Sequence, residues 1–178
     1  VIKEKEISAE IHEVNLNDIP DEIKILSPYD QYPSLVDREL VLQNSRVIIE
    51  YLDERFPHPP LLPVDPISRA KFRLALNEIE HHWYPKYALA YQDETLDKSF
   101  VEEIKKYFLE IAPLIKKSFF MSDDFGLVDS SLAPLLWRLQ SLDFDLAENN
   151  KIISDYSERI FDREAFQESL TETEKELF

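Results

Sequence analysis

The chain has 178 residues, a length that fits one domain or two small domains that share a core. Its 36 acidic and 20 basic residues give a formal charge of −16, which repels phosphate backbones at long range and argues against direct, nonspecific binding of nucleic acid. The lack of cysteine excludes disulfides, thiolate zinc sites and thiol nucleophiles.

The first part of the chain mixes helix and strand. Residues 1–8 are typical of the end of a helix, and the segment AEIHEVNL at 9–16 favours a short strand. A short helix is then predicted between two prolines, because Pro20 can open it and Pro28 ends it.

A hairpin and a longer helix come next. The β-favouring tripeptides SLV and LVL are separated by residues 37–39, which predicts a hairpin without a turn glycine. Asn44 or Ser45 caps the helix, and Phe56 and Pro57 end it. The apolar stripe of this helix consists of Val47, Ile48, Tyr51 and Leu52.

The chain therefore divides into a small α+β domain at 1–56, a proline-rich linker at 57–66 and an all-helical domain at 67–178. Two runs in the last domain have apolar residues at steps of three and four: Phe72, Leu76, Ile79, Trp83; and Ile104, Phe108, Ile111, Ile115. The segment SSLAPLLWRLQSL is apolar all round, which predicts the centre of the bundle. Segments 152–161 and 163–178 are predicted as charged amphipathic helices.

Several absences narrow the function further. Gly126 is the single glycine, which excludes glycine-rich phosphate-binding loops. No apolar run reaches about 18 residues and no signal peptide is visible, so we expect a soluble, cytoplasmic protein without membrane contact. The single methionine is Met121, so we expect the natural chain to begin further upstream.

Three residues near the hairpin are candidates for a ligand pocket. Pro33 precedes the first strand, where proline is often a plain strand-start residue, and the sequence does not reveal its isomer. Asn44 and Ser45 precede a helix, whose first N–H groups can bind an anion, although helix capping explains both residues equally well.

Two further pairs are better explained by structure than by chemistry. Glu78 and His82 are four residues apart on one helix, but without cysteine or a third ligand we expect no metal site. Gly126 and Asp129 have the spacing of a capping box in which glycine replaces the usual Ser or Thr, and Asp129 can still reach the N–H of the cap residue.

The segment FPHPPLLP has two interpretations. Prolines hold a chain extended and exposed, which suits a stiff connection between domains. A rigid, exposed segment also loses little entropy on binding, which suits a recognition surface. In that case His58 adds a hydrogen-bonding group that titrates near neutrality.

Taken together, these residues resemble the stringent starvation protein A family, a bacterial branch of the glutathione transferase fold. The resemblance covers essentially the whole chain, and YLDERFPHPP is specific to the branch. The similarity is densest in LVDREL, YLDERFPHPPLLPV, FFMSDDFGLVD, LAPLLWRL and SLTETEKE.

The resemblance implies an α+β fold of the glutathione transferase type, with a thioredoxin-like domain that lacks its first strand here and a C-terminal all-α bundle. Pro33 would be the cis-proline of the thioredoxin-like domain. In active transferases the catalytic tyrosine, serine or cysteine lies near the missing strand, so this sequence does not reveal it.

The resemblance further implies a regulator of transcription that binds RNA polymerase holoenzyme with the main sigma factor and has no transferase activity. Pro57, His58, Pro59 and Pro60 would form the contact surface. The alternative is a glutathione-dependent transferase, against which Asn44 counts because glutathione-binding relatives have Glu before the serine.

Family members dimerise, either with themselves or with a paralogous subunit, macrophage growth locus protein A. That heterodimer can bind guanosine tetraphosphate, so this nucleotide is a possible ligand at a dimer interface. No other cofactor and no metal is expected, and we expect no sequence-specific contact with nucleic acid by this chain alone.

Overall fold

The structure, a computed structural model, describes residues 1–15, 18–27, 32–92, 98–115, 118–142 and 144–176. The chain divides into two compact units, Val1–Pro59 and Pro60–Phe178.

In its described residues, the first unit has a hairpin with a helix on either side of it in the sequence: α1 Asp21–Leu26, β1 Ser34–Asp37, β2 Leu40–Gln43 and α2 Ser45–Arg55. The strands are antiparallel, as predicted, and their register pairs Ser34 with Gln43. Asp37 belongs to β1 and pairs with Leu40, so the turn has two residues and not three. Arg38 takes a φ of 59° in this turn, the left-handed conformation that glycine usually supplies.

Helix α1 begins directly after Pro20, as predicted. The predicted stop at Pro28 lies outside the described residues. The side chain of Gln43 donates a hydrogen bond to the carbonyl of Leu26 over 2.8 Å, which ties the end of α1 to the end of β2.

Helix α2 packs on the hairpin through one apolar edge and through polar contacts to Asp37, which include an ion pair with Arg55 over 3.7 Å. The Tyr51 hydroxyl donates to the Asp37 carboxylate over 2.7 Å. Ile48 and Leu52 are buried, as the predicted stripe requires. Val47 is 50% exposed because it projects about 100° away from Ile48 around the helix, so the stripe is narrower than predicted.

The segment that precedes α1 is only partly as predicted. The N–H of Ile7 bonds to the carbonyl of Ile2 and Glu6 has a φ of 51°, which is the geometry of a helix C-terminus. The predicted strand is wrong for residues 9–15, which form no ladder with any described residue. Alternating side chains alone do not make a strand, since its backbone needs a partner; Leu16 lies outside the described residues.

The second unit is helical: α3 Pro66–Glu78, α4 Tyr84–Gln92, α5 Lys98–Ile111, α6 Leu127–Gln140, α7 Leu146–Asn149, α8 Lys151–Phe161, α9 Glu164–Gln167 and α10 Glu172–Lys175. A π-helical turn, Ile79–Trp83, joins α3 to α4, and a 3-10 turn, Ala112–Leu114, follows α5. Within the described residues, no helix combines the length and the apolar composition needed to cross a bilayer.

The predicted core of this unit is confirmed. Every residue of the two apolar runs is buried, and the leucines, the valine and the alanine of α6 are at most 4% exposed, whereas Trp137 is half-buried. The predicted helix at 163–178 is wrong, because the chain forms the short helices α9 and α10 there. Thr171 is the N-cap of α10, and its side chain accepts a hydrogen bond from the N–H of Glu174 over 3.2 Å.

Asp129, in the first turn of α6, accepts hydrogen bonds from two N–H groups of the chain just before this helix and from one side chain of α8. One carboxylate oxygen accepts from the N–H of Phe120 over 2.9 Å and from the Tyr156 hydroxyl over 2.6 Å. The other accepts from the N–H of Gly126 over 2.7 Å, which is the predicted capping contact. Burial raises the pKa of Asp129 to about 6, although these three hydrogen bonds act in the opposite direction.

Gly126 is required for space and not for backbone conformation. Its φ of −137° is open to any residue. A Cβ at this position would lie 2.9 Å from the carbonyl oxygen of Leu61 and 3.3 Å from the Phe72 ring. The close approach allows the N–H of Leu127 to donate to that same carbonyl over 2.9 Å.

We expect the stabilising effect of Asp129 to increase as the pH falls. The folded-state pKa of about 6 exceeds the ordinary value of 3.8, so the folded state binds a proton more tightly than the unfolded state. The free energy of unfolding of the wild type, minus that of Asp129→Asn, should therefore rise between pH 7 and pH 4. Urea denaturation of both proteins across this range measures the difference. The contributions of the other carboxylates to the pH dependence are the same in both proteins and cancel. A difference that is constant or falls towards pH 4 would contradict the expectation.

Gly126→Ala should destabilise the second unit by about 1–3 kcal/mol, because the added methyl group meets a backbone carbonyl that cannot move away. Chemical denaturation measures the loss. Lys71→Ala, at an exposed position of α3, is the matched control and should change stability by less than about 0.5 kcal/mol. Equal stability of the two variants would show that the close approach relaxes without cost.

Candidate protein-contact surface

Helix α2 ends next to a buried ammonium group. Lys5 Nζ lies 2.8 Å from a carboxylate oxygen of Asp53, and the two side chains are 0% and 5% exposed. The same Nζ donates to the carbonyl of Phe56 over 2.6 Å and to the carbonyl of Pro59 over 2.7 Å. We call these groups the Lys5 cluster: the Lys5 ammonium, the Asp53 carboxylate and the carbonyls of Phe56 and Pro59.

The helix ends here for local reasons as well. Proline disfavours helical conformation in the residue before it, so Pro57 ends α2 at Arg55 and leaves Phe56 as its C-cap. The N–H of Phe56 still bonds to the carbonyl of Leu52 over 3.0 Å, and its carbonyl turns to the ammonium. The chain therefore leaves the helix in a defined direction.

Pro57, His58, Pro59 and Pro60 are all exposed, and we call them the proline surface. Their peptide chemistry is unusual because three of the four have no N–H, and the carbonyl of Pro59 already accepts from Lys5. The His58–Pro59 bond is cis. What the segment offers to a partner is thus mainly three pyrrolidine rings and one imidazole.

The second half of the predicted linker is only partly buried, since Val64 is 88% exposed whereas the two leucines before it are enclosed. Leu61 and Leu62 are 2% and 3% exposed, and they belong to the second unit. The carbonyl of Leu61 accepts from the N–H of Leu127 at the start of α6.

The three ligand-pocket candidates lie at one end of the hairpin. Because Ser34 pairs with Gln43, the next residues outward are Pro33 and Asn44, and Ser45 follows. The Tyr32–Pro33 bond is cis, as the resemblance implies. Pro33, Asn44 and Ser45 are exposed.

Asn44 caps α2, which decides between the two predicted caps. Its side-chain oxygen accepts from the N–H groups of Arg46 and Val47 over 3.0 and 3.2 Å. It does so with a φ of 72°, in the left-handed range that asparagine tolerates better than most residues. Two of the N–H groups that an anion would need already have a partner, and binding of a ligand at this end stays a prediction.

The acidic and histidine side chains of the described residues do not assemble into a metal site, since no three of them come together. The His82 ring packs edge-on against Trp83, with ring centroids 5.3 Å apart.

Comparison with known proteins assigns the chain to a family. The model of the glutathione S-transferase N-terminal domain matches residues 1–60, and that of the C-terminal domain matches 64–164. A stringent starvation protein A homolog from Haemophilus influenzae is 46% identical over 175 residues, covering 97% of this chain and 82% of that protein. One from Coxiella burnetii is 44% identical over 182 residues, covering 99% and 86%. The chain belongs to the stringent starvation protein A branch of the glutathione S-transferase family.

Solved structures confirm the fold class. A rice glutathione S-transferase in complex with glutathione has a TM-score of 0.85 at 21% identity and covers 99% of this chain and 85% of its own. The omega-class transferase 3C from Trametes versicolor has a TM-score of 0.83 at 19% identity, with 96% and 81% covered. At these identities the likeness concerns the fold alone.

The sequence did not indicate that Lys5 and Asp53 form a buried ion pair. They are 48 positions apart, and two of the three Lys5 acceptors are backbone carbonyls, which leave no mark in a sequence. Asp53 follows Leu52 in the charged last turns of α2, where the sequence pattern gives no sign that one carboxylate is buried. A lysine within a charged N-terminal segment likewise gives no sign of burial.

Proposed function

We propose that this protein is a non-catalytic regulator of transcription that binds RNA polymerase holoenzyme carrying the main sigma factor. The observation that carries the proposal is the proline surface, four consecutive exposed residues next to the Lys5 cluster, in a chain of the stringent starvation protein A branch. The resemblance of YLDERFPHPP to that branch assigns the contact to Pro57, His58, Pro59 and Pro60.

The chemistry of this surface favours recognition by packing. Proline rings are rigid and apolar, so they add contact area to an interface with little loss of conformational entropy. The imidazole of His58 supplies one directional hydrogen bond among them. A complementary site would be a shallow apolar or aromatic depression with a hydrogen-bonding group at the position of His58.

The charge of the chain supports a partner that is itself basic. A formal charge of −16 attracts a DNA-binding assembly, steers its approach and repels free nucleic acid. Contact with DNA would then occur through the polymerase and not through this chain. Since the polymerase works in the cytoplasm, we place the protein there.

We further propose that the working form is a dimer. Val36 and Val41 face each other across the hairpin and are 50% and 40% exposed. Ile67 and Leu74, two turns apart on α3, are 72% and 70% exposed. Exposed apolar side chains in both units suit a second subunit. That subunit is either a second copy or macrophage growth locus protein A, and guanosine tetraphosphate is the proposed ligand of the heterodimer.

Replacing Pro57, His58, Pro59 and Pro60 by alanine should lower the affinity for purified holoenzyme by at least tenfold, because the apolar rings and the imidazole are lost together. His58→Ala alone should give a smaller loss. Biolayer interferometry with immobilised holoenzyme measures both.

The matched control is Pro113→Ala, which removes an exposed proline from the 3-10 turn of the second unit and should leave the affinity unchanged. Thermal unfolding and light scattering check that every variant remains folded and keeps its subunit number. Undiminished binding by the quadruple variant would overturn the proposal.

Binding of glutathione distinguishes the proposed regulator from the transferase alternative. We expect the full-length protein to pass through immobilised glutathione and to leave a model electrophile unconjugated, since Asn44 lacks the acidic group of glutathione-binding relatives and already caps α2. A glutathione S-transferase run in parallel is the positive control. Retention together with conjugation above the uncatalysed rate would replace the proposed function by a transferase activity.

A further inference from the structure

The Lys5 cluster uses every hydrogen that the ammonium group can donate. Lysine has three N–H donors, and Lys5 Nζ has three acceptors between 2.6 and 2.8 Å away: Asp53, Phe56 and Pro59. The side chain is fully buried. The group therefore works inside the first unit and is not offered to solvent.

The two carbonyl acceptors of Lys5 are only three residues apart in the sequence. The carbonyls of Phe56 and Pro59 lie at the two ends of the Pro57–His58 segment, and one nitrogen atom holds both. Their separation cannot exceed the sum of two hydrogen-bond lengths. The backbone is thereby drawn inward at both ends, while Pro57 and His58 between them are exposed.

Stability alone does not account for this arrangement. Burying an ion pair removes two charges from water, and a well-packed apolar pair often stabilises a fold as well or better. An apolar pair would not bind two carbonyl oxygens, however. What the ammonium adds is control over the path of the backbone between Phe56 and Pro59.

We infer that Lys5 is a positioning residue for the proposed polymerase contact: its buried ammonium, balanced by Asp53, holds the proline surface in the conformation that the partner binds. This inference rests on the proposed function. Lys5 touches no partner itself and acts through the carbonyls of Phe56 and Pro59.

The test is the double variant Lys5→Met with Asp53→Asn, which removes the ammonium without leaving a buried, unpaired carboxylate. We expect the double variant to fold and its proline surface to open locally. Trypsin cleavage after Arg55, at the end of α2, should accelerate at least tenfold, and the affinity for holoenzyme should fall at least tenfold. The matched control is Lys151→Met with Asp155→Asn, which removes an exposed Lys–Asp pair of 2.9 Å on α8 and should change neither quantity.

A positioning role also predicts non-additivity. If Lys5 acts through the proline surface, its loss should cost less affinity in a protein that already carries His58→Ala than in the wild type. A general loss of stability would lower the affinity by the same factor in both backgrounds, and that result would overturn the inference.

Chemical rescue covers the case in which the double variant does not fold. The chain has no cysteine, so Lys5→Cys can be alkylated with bromoethylamine at this one position, which rebuilds an ammonium of nearly the original length. Alkylation should restore slow cleavage and holoenzyme binding to within about twofold of the wild type, whereas alkylation with iodoacetamide, which adds no charge, should not. Rescue by both reagents or by neither would overturn the inference.

Different results would overturn the proposed polymerase contact and the positioning role of Lys5. Wild-type protein that does not bind holoenzyme would overturn the proposed function before any substitution is made. A double variant that binds as tightly as the wild type while cleavage after Arg55 is fast would overturn the positioning role alone, as would cleavage that is no faster than in the control.

Discussion

A charge taken out of water must be surrounded by hydrogen-bonding groups, and in each unit of this chain a buried ionisable side chain bonds to two backbone groups and to one further side chain. In the second unit it is Asp129, which collects Phe120, Gly126 and Tyr156 at the start of the central helix. In the first unit it is Lys5, which collects the end of α2 and the segment that follows it. The two groups differ in sign and have the same structural effect, since each fixes loop segments that hydrophobic packing alone would leave free.

The sequence predicts those features whose cause is local. Periodicities of three and four give the helical core, the tripeptides SLV and LVL give the hairpin, and the spacing of Gly126 and Asp129 gives the cap of α6. Features that depend on distant partners escape prediction. The strand predicted at 9–16 would have required a partner strand for its backbone hydrogen bonds. Leu61, in the predicted linker, is buried where Gly126 leaves room for its carbonyl group.

The candidate contact surface likewise combines a feature with a local cause and a feature that depends on a distant residue. The exposure of the proline surface follows from proline's own chemistry and is visible in the sequence, whereas the group that fixes its conformation comes from a lysine 52 positions before Pro57. The cis conformation of Pro33 likewise entered through a family resemblance and not through the residues around it.

Helix α2 separates the two candidate sites of the first unit. Asn44 and Ser45 stand at its N-terminus, and the proline surface follows its C-terminus, about 16 Å away along eleven residues. Because the helix is rigid over that distance, changes at one end need not disturb the other. A fold that binds a small molecule at one end of α2 can therefore evolve a protein contact at the other end while the core stays the same.

Exposed apolar surface usually carries a risk of aggregation, and the proline surface largely avoids it. A segment joins a growing β-sheet through unpaired N–H and C=O groups, and here three of four residues have no N–H while Lys5 occupies the carbonyl of Pro59. Proline at these positions thus leaves apolar rings exposed without the backbone groups that pairing with a β-strand requires.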